Sequence, residues 1–310
     1  MDYALSEEQA ALVAAVQGIV RDHGAPPSDA RQSFAYFDAS LQAALQGGGF
    51  LDAARVLGAL EAALVVMEAA TAPGAAELGA SALVAPHLFP SAAPNGPFAL
   101  IDAAALGKAH RHLPIAKTAL ITDGGDVLVL DLNGVRIDPV DSVYAYVYGR
   151  FAERIDLRAL PRIPDAAPLL RQWHRVALAA EMAGAAAQAV AFTVEYVKTR
   201  HVFAKPVGAF QAVQHRLVQC HQAALAMRYL TLKAAWAGDA YHAALAACFA
   251  QQKASKIVFD LHQFNGAMGI TNAHLLHFWT YRLRALQAEA GGVYASAHTV
   301  ANALWGGAGP

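Results

Sequence analysis

Three features of the sequence predict a mainly α-helical protein with a small β-domain. Apolar residues recur at helical period over both ends of the chain. Short β-branched and leucine runs lie between Asp-Gly and Asn-Gly turns in the middle. The length of 310 residues suggests two domains, or three small ones. The expected organisation is an N-terminal helical domain over 1–93, a reduced β-domain over 94–160 and a C-terminal helical bundle over 161–310.

The first helix opens at Ser6, with Gln9 three residues on at capping-box spacing. Leu12, Val13, Val16, Ile19 and Val20 form one apolar stripe, and Gly24, Pro26 and Pro27 stop the helix. A short helix is expected over 40–46, before Gly47-Gly48-Gly49, and two more over 53–70 and 75–88. The texture then changes near Pro94. The run 119–122 precedes Asp123-Gly124-Gly125, and 127–130 precedes Asn133-Gly134 and 135–137, so both turns read as hairpins. Residues 143–148 alternate like a further strand, and Pro161, Pro164 and Pro168 mark a connection. Long helices follow over 169–200, 210–236, 241–264 and 272–289, with a last one over 294–305 and a loop over 203–208. Long antiparallel helices joined by short loops make an up-down four-helix bundle.

Composition narrows the function. A net charge of −1 argues against a nucleic-acid binder, which needs a basic patch. With 56% hydrophobic and 15% charged residues the chain is not disordered, and its apolar excess points to a large subunit interface. Cys220 and Cys248 have neither CxxC nor metal-ligand spacing. The N-terminus is acidic and does not read as a signal peptide. The apolar stretches are alanine-rich and broken by charge, so no membrane span is expected. The expectation is a soluble cytoplasmic protein.

Two spaced motifs carry a family resemblance. Glu195-Tyr196-Val197-Lys198-Thr199-Arg200, then Phe203, Lys205-Pro206-Val207-Gly208 and Phe210-Gln211-Ala212-Val213-Gln214-His215, resembles the Arg-x-x-Phe-Gly-x-Pro-Ile-x-x-x-Gln motif of acyl-CoA dehydrogenases. Gln263-Phe264-Asn265-Gly266-Ala267-Met268-Gly269-Ile270-Thr271 is similar to that family's Gln-x-x-Gly-Gly-x-Gly-Phe-Thr segment. The resemblance is loose over the whole chain and close over 170–305. It implies an acyl-CoA dehydrogenase-like fold and places Arg200, Phe203, Gln211, Gln263, Gly266 and Ala267 against the adenosine-pyrophosphate half of an FAD whose flavin sits in a neighbouring subunit. The residue chemistry agrees. Arginine offers a planar donor pair to phosphate, and glycine permits close backbone approach.

The resemblance also exposes losses. The family's Tyr-x-x-Thr-Glu-x-x-x-Gly-Ser loop has no counterpart, and the β-unit is short. In the family a glutamate of an Ile-Tyr-Glu-Gly-Thr segment removes the α-proton of the thioester. The matching segment here is Val293-Tyr294-Ala295-Ser296-Ala297, so Ala295 stands at the glutamate's place. An alternative position early in the bundle's first helix falls near His174, and Glu181 and Glu289 are the remaining nearby carboxylates. The pattern resembles the smaller, non-catalytic subunit of heteromeric α2β2 acyl-CoA dehydrogenases, which pairs with a larger catalytic subunit. That implies α,β-desaturation of an acyl-CoA by the complex, with a steroid side-chain thioester as one substrate class. The larger subunit binds most of the substrate, and electron-transfer flavoprotein is the usual acceptor. The alternatives are a self-sufficient homomeric enzyme with a relocated base, and a scaffold without flavin.

Other constellations read as structural. Among thirteen histidines, His110 and His112 flank Arg111 in an expected loop, and His274 and His277 share a helix face, but neither pair has metal-ligand partners. Phe278, Trp279 and Tyr281 are expected at a bundle or subunit contact, and Lys253 and Lys256 on a solvated face. No Gly-x-Gly-x-x-Gly follows a strand, so no Rossmann-type site is expected.

Overall fold

The computed structural model describes residues 4–306, which leaves the acidic opening Met1-Asp2-Tyr3 outside the described residues. The N-terminal part is built from α1 (Glu7–Asp22), α2 (Ala30–Ser33), α3 (Ala39–Gly47), α4 (Ala53–Val56), α5 (Ala59–Ala69) and α6 (Ala85–Leu88). The capping box forms as the spacing predicts. Ser6 Oγ accepts from the Gln9 N–H, and Gln9 Oε1 accepts from the Ser6 N–H. Val16 is fully buried, and Leu12, Val13, Ile19 and Val20 pack against the core.

Two predicted helices are shorter than their periodicity suggests. The segment over 53–70 breaks at Gly58, whose φ of 134° only glycine tolerates. The segment over 75–88 begins as a π-helical turn at Ala80–Val84 and becomes α-helical only at α6.

The β-region holds two small sheets. One orders β1 (Phe98–Asp102), β3 (Thr118–Asp123), β4 (Asp126–Asp131) and β7 (Arg162–Ile163) as β1-β3-β4-β7. The other orders β2 (His110–Arg111), β6 (Tyr148–Phe151) and β5 (Ile137–Val140) as β2-β6-β5. The Asp123-Gly124-Gly125 turn does make the β3–β4 hairpin, with Asp123 opposite Asp126. The Asn133-Gly134 turn does not make a hairpin. It carries the chain from one sheet to the other, because β5 pairs with β6 and not with β4. Residues 143–147 are not a strand: Ala145 turns to φ 61°, and Tyr146 is drawn inward by a buried hydrogen bond. β1 follows the Pro94-Asn95-Gly96-Pro97 turn and pairs in parallel with β3, a partner that no local signal announces. β3 is buried on both faces. Leu120 joins the main core, while Ala119 and Ile121 join a smaller core between the sheets.

The C-terminal helices are α7 (Ala167–Thr199), α8 (Gln211–Ala237), α9 (Ala240–Asn265), α10 (Leu276–Gln287) and α11 (Gly292–Trp305). The loop expected over 203–208 contains a tight hairpin of β8 (His201–Val202) and β9 (Lys205–Pro206). The main core runs without interruption from α5 through α7 to α9 and α10, so the N-terminal helices and the bundle share it. Small residues on α7 allow this. A Cβ added at Gly184 would lie 2.0 Å from the Met67 carbonyl oxygen of α5. By length and hydropathy α7 is apolar enough to cross a membrane, but 78% of that window is buried inside the protein. Its apolar surface is consumed by packing. Phe278 and Trp279 are likewise buried, and Trp279 Nε1 donates to the Thr71 carbonyl at 2.9 Å. Lys256 does not stand free on its helix face but pairs with the buried Asp260 at 2.7 Å.

Candidate functional site

A cavity of about 570 Å³ lies between the β-region and the bundle. Among the residues lining it are His174, Glu181, Glu289 and Ala295, every position considered for a catalytic base. His174 and Glu181 share a face of α7 two turns apart, Glu289 opens the turn after α10, and Ala295 is in the first turn of α11.

The centre of the cavity wall is a residue the sequence did not single out. Arg111 of β2 reaches across to two other elements. Its Nη1 donates to Glu181 Oε2 at 2.7 Å. Its Nε and Nη2 donate to the two oxygens of Glu289 at 2.7 and 3.0 Å. Tyr146 adds a hydrogen bond from its hydroxyl to Glu181 Oε2 at 2.9 Å, and its ring lies 4.7 Å below the guanidinium. His174 Nε2 sits 3.3 Å from Glu289 Oε2. No local signal marks Arg111, because its partners are 70 and 178 residues away.

The electrostatics follow from this packing. Burial alone would raise the Glu289 carboxyl, but the charge of Arg111, helped by His174, holds it at about 2. Burial opposes the charged form of Arg111, yet Glu181 and Glu289 push its pKa well above the ordinary arginine value. Burial and Glu181 raise the Tyr146 phenol. Burial and the neighbouring guanidinium push His112 well below the usual imidazole value, so it is neutral at pH 7. His110 is lowered by burial. His110 starts β2 rather than lying in a loop, whereas His112 does lie in the turn that follows β2, and both are buried. His274 is also buried, edge-on to Phe192 and Tyr196.

A further carboxylate on the cavity wall, Glu77, also escaped the sequence reading. Glu77 is 1% exposed, and burial raises its pKa. It accepts from the N–H groups of Ala80, Ser81 and Phe98 and from the Ser81 hydroxyl. Its lone pairs are therefore spent on holding the π-helical turn and the start of β1. Of the carboxylates lining the cavity, Glu77, Glu181 and Glu289 are tied into these buried contacts, whereas Asp102 is exposed at the end of β1 and accepts from the Ala104 N–H. A base tied into a bidentate arginine pair is a weak proton acceptor.

The motif residues lie elsewhere. Arg200 follows the C-terminus of α7, Phe203 is at the β8–β9 tip, Gln211 opens α8, and Gln263, Gly266 and Ala267 close α9. Alternation of helix direction brings all six to one end of the bundle. Asn265 Nδ2 donating to Thr193 Oγ1 at 3.0 Å ties the end of α9 to α7. All six are exposed. Phe203 is 91% exposed rather than part of a core, and the Arg200 guanidinium has no hydrogen-bond or ion-pair partner among the described residues. α8 has no side-chain N-cap, which leaves the N–H groups at its start open to an anion. Gly266 has φ 57° and ψ −143°, a glycine conformation, and a Cβ there would meet nothing within 4 Å. Its backbone thus faces open space. The surface can offer a guanidinium, free amides and an aromatic ring to a phosphate-bearing ligand that another molecule completes. Among the described residues no cluster of three or more His, Cys, Asp or Glu is arranged to hold a metal.

Known proteins resemble this arrangement. Residues 171–303 match the profile of the acyl-CoA dehydrogenase C-terminal domain. Acyl-CoA dehydrogenase IpdE2 of Mycobacterium tuberculosis is 34% identical over 122 residues, which is 39% of this chain and 38% of the relative. The match therefore spans well under half of that relative's length. The ChsE4-ChsE5 complex from Mycobacterium tuberculosis superposes with a TM-score of 0.76 at 18% identity, covering 100% of both chains. A Tcur3481-Tcur3483 steroid ACAD variant gives 0.77 at 23% identity, over 97% of this chain and 99% of that one. At such identities the superpositions establish a common fold.

Proposed function

We propose that this chain, whose residues 171–303 match the acyl-CoA dehydrogenase C-terminal domain and whose fold is shared with solved acyl-CoA dehydrogenases, is the non-catalytic subunit of a heteromeric acyl-CoA dehydrogenase. One contrast carries this reading. The six residues that match the family's nucleotide-gripping motifs are exposed, with no side-chain hydrogen bond or ion pair among the described residues, while the chain's own cavity is lined by Ala295, which the motif match aligns with the family's glutamate, and has arginine on Glu181 and Glu289. In this reading FAD supplies the hydride acceptor, and its isoalloxazine belongs to the larger partner. Arg200 and the free amides of α8 meet the pyrophosphate, Phe203 packs on the adenosine half, and Gln211 and Gln263 orient it by hydrogen bonds. The partner supplies the glutamate that removes the α-proton, and electron-transfer flavoprotein docks on that subunit. A steroid-derived acyl-CoA is the substrate class we favour, supported by the structural neighbour described as a steroid ACAD.

The self-sufficient reading needs a free base in this chain. His174 and Glu289 do reach the cavity, but they face each other and Arg111. Co-expression with a larger homologue that keeps the Tyr-Glu-Gly segment tests the proposal. The expected result is a yellow complex active on an acyl-CoA, and a chain without flavin or activity when purified alone. An active, flavin-loaded homomer would overturn it, and a stable complex without flavin would leave the scaffold reading.

A further inference from the structure

The turn between α10 and α11 is strained. Ala290 has φ 52°, Gly291 φ 81° and Gly292 φ 67°, three consecutive residues in the left-handed region. Two of them are glycine, which adopts that conformation freely, but alanine does not. The path is also crowded, since a Cβ on Gly291 would lie 2.6 Å from Ala295 Cβ. Such a residue persists only where its surroundings over-determine it.

The surroundings hold this turn from two sides. Gln251 of α9 donates from Nε2 to the backbone oxygens of Leu286 and Glu289 at 3.1 and 2.9 Å. From the opposite side Arg111 grips the Glu289 side chain with two hydrogen bonds. Everything C-terminal to the turn depends on its path. α11 packs along α9 and touches α7 through Arg175 Nη2 donating to Thr299 Oγ1 at 3.0 Å. It puts Ala295 on the cavity wall and leaves Tyr294 91% and Trp305 69% exposed.

We propose that the Arg111–Glu289 pair is a clamp that fixes the strained α10–α11 turn and thereby the position of α11. Arg111 and Glu289 are positioning residues in this role, and Glu181 is the anchor of the arginine on α7. The ion pair is a link between the β-region and the last helix, and its loss frees α11 rather than the whole fold. The inference does not depend on the proposed function.

Amide hydrogen exchange of the full-length chain tests it. Glu289→Gln is expected to speed exchange over 288–305 by about tenfold more than over α8, because local opening is separable from global unfolding. Glu181→Gln is expected to spare 288–305, since Arg111 keeps both bonds to Glu289. Ala290→Gly placed in the Glu289→Gln background is expected to return much of the protection by relieving the strain. Arg111→Met should loosen 288–305 as well, on top of a general loss of stability from the uncompensated carboxylates, and if that variant does not fold the two glutamine variants still decide the question. Unchanged exchange over 288–305 in Glu289→Gln, or equal loosening there in Glu181→Gln, would overturn the clamp.

Discussion

α7 runs through two regions that solve opposite problems. At Glu181 it faces the cavity, where the buried charges are paired with each other. About 28 Å further along the same helix, Arg200 projects from the bundle end with no partner among the described residues. Buried charges without counter-ions are costly, so the cavity has closed on itself by supplying Arg111. Exposed charges cost little in water, so the bundle end can keep an unmatched guanidinium and an exposed phenylalanine for something outside the chain. Chemistry that is satisfied internally serves the fold, and the proposed function assigns the chemistry left open at the bundle end to a ligand.

The largest expected effect comes from breaking the closed region. Arg111→Met leaves Glu181 and part-buried Glu289 facing each other without a counter-ion, and should cost about 3–5 kcal/mol in denaturant unfolding. A loss below about 1 kcal/mol would mean that the cluster behaves as a solvated surface network, and the contrast between the two regions would vanish.

Acid sharpens the same contrast. The Glu289 carboxyl is held at about 2 in the fold and has an ordinary value of 4.5. A lowered carboxylate contributes stability that is complete above the unfolded value and is lost as pH falls from 4.5 toward 2. The loss should amount to about 3 kcal/mol, measured as unfolding free energy against pH. Glu77 acts with the opposite sign. Its raised value means that its contribution is present below 4.5 and fades as pH rises through the folded value. Glu289→Gln should therefore flatten the acid limb and leave the slope above it, whereas Glu77→Gln should flatten the slope above it.

At the open end a small stabilisation is expected. Phe203 and Ala204 turn the β8–β9 hairpin at φ 50° and 62°, the geometry of a type I′ turn, which favours glycine. Ala204→Gly should add about 0.5–1 kcal/mol to stability. Thermal unfolding would show a melting temperature a few degrees higher, and a drop would mean that contacts of the Ala204 methyl outweigh the strain.

How much of this was legible in the sequence depended on the range of the interactions. The capping box at Ser6, the Asp123-Gly124-Gly125 hairpin and the long helices of the bundle are written in neighbouring residues, and each formed at the expected place within a few positions. Ala295, picked out by its motif position, lines the cavity together with His174, Glu181 and Glu289. Long-range pairing was not legible. β1 joins β3 in parallel through a connection that carries β2 rather than through a hairpin, and the Val143–Tyr148 alternation lost to one buried tyrosine hydrogen bond. Arg111 looked like a loop arginine between two histidines, and nothing local announces that its two carboxylates arrive from α7 and the α10–α11 turn. Gly58 was visible as a residue, but its break in the helix needed the tertiary turn to make it necessary.

The smallest expected effect on stability is also the most informative about the open end. Arg200→Ala removes a side chain with no partner among the described residues, so the unfolding free energy of the chain should stay within about 0.5 kcal/mol of its starting value. In a complex with a larger partner, the same variant should lose flavin during gel filtration, because the proposed function pairs this guanidinium with the cofactor's phosphate only there. Arg200→Lys should recover part of the retention, since lysine keeps the charge but not the planar donor pair. The two readouts must separate. Equal loss of stability and flavin would make Arg200 a structural residue of the hairpin. Unchanged flavin with unchanged stability would remove the guanidinium from the cofactor site and with it the difference drawn between the two ends of α7.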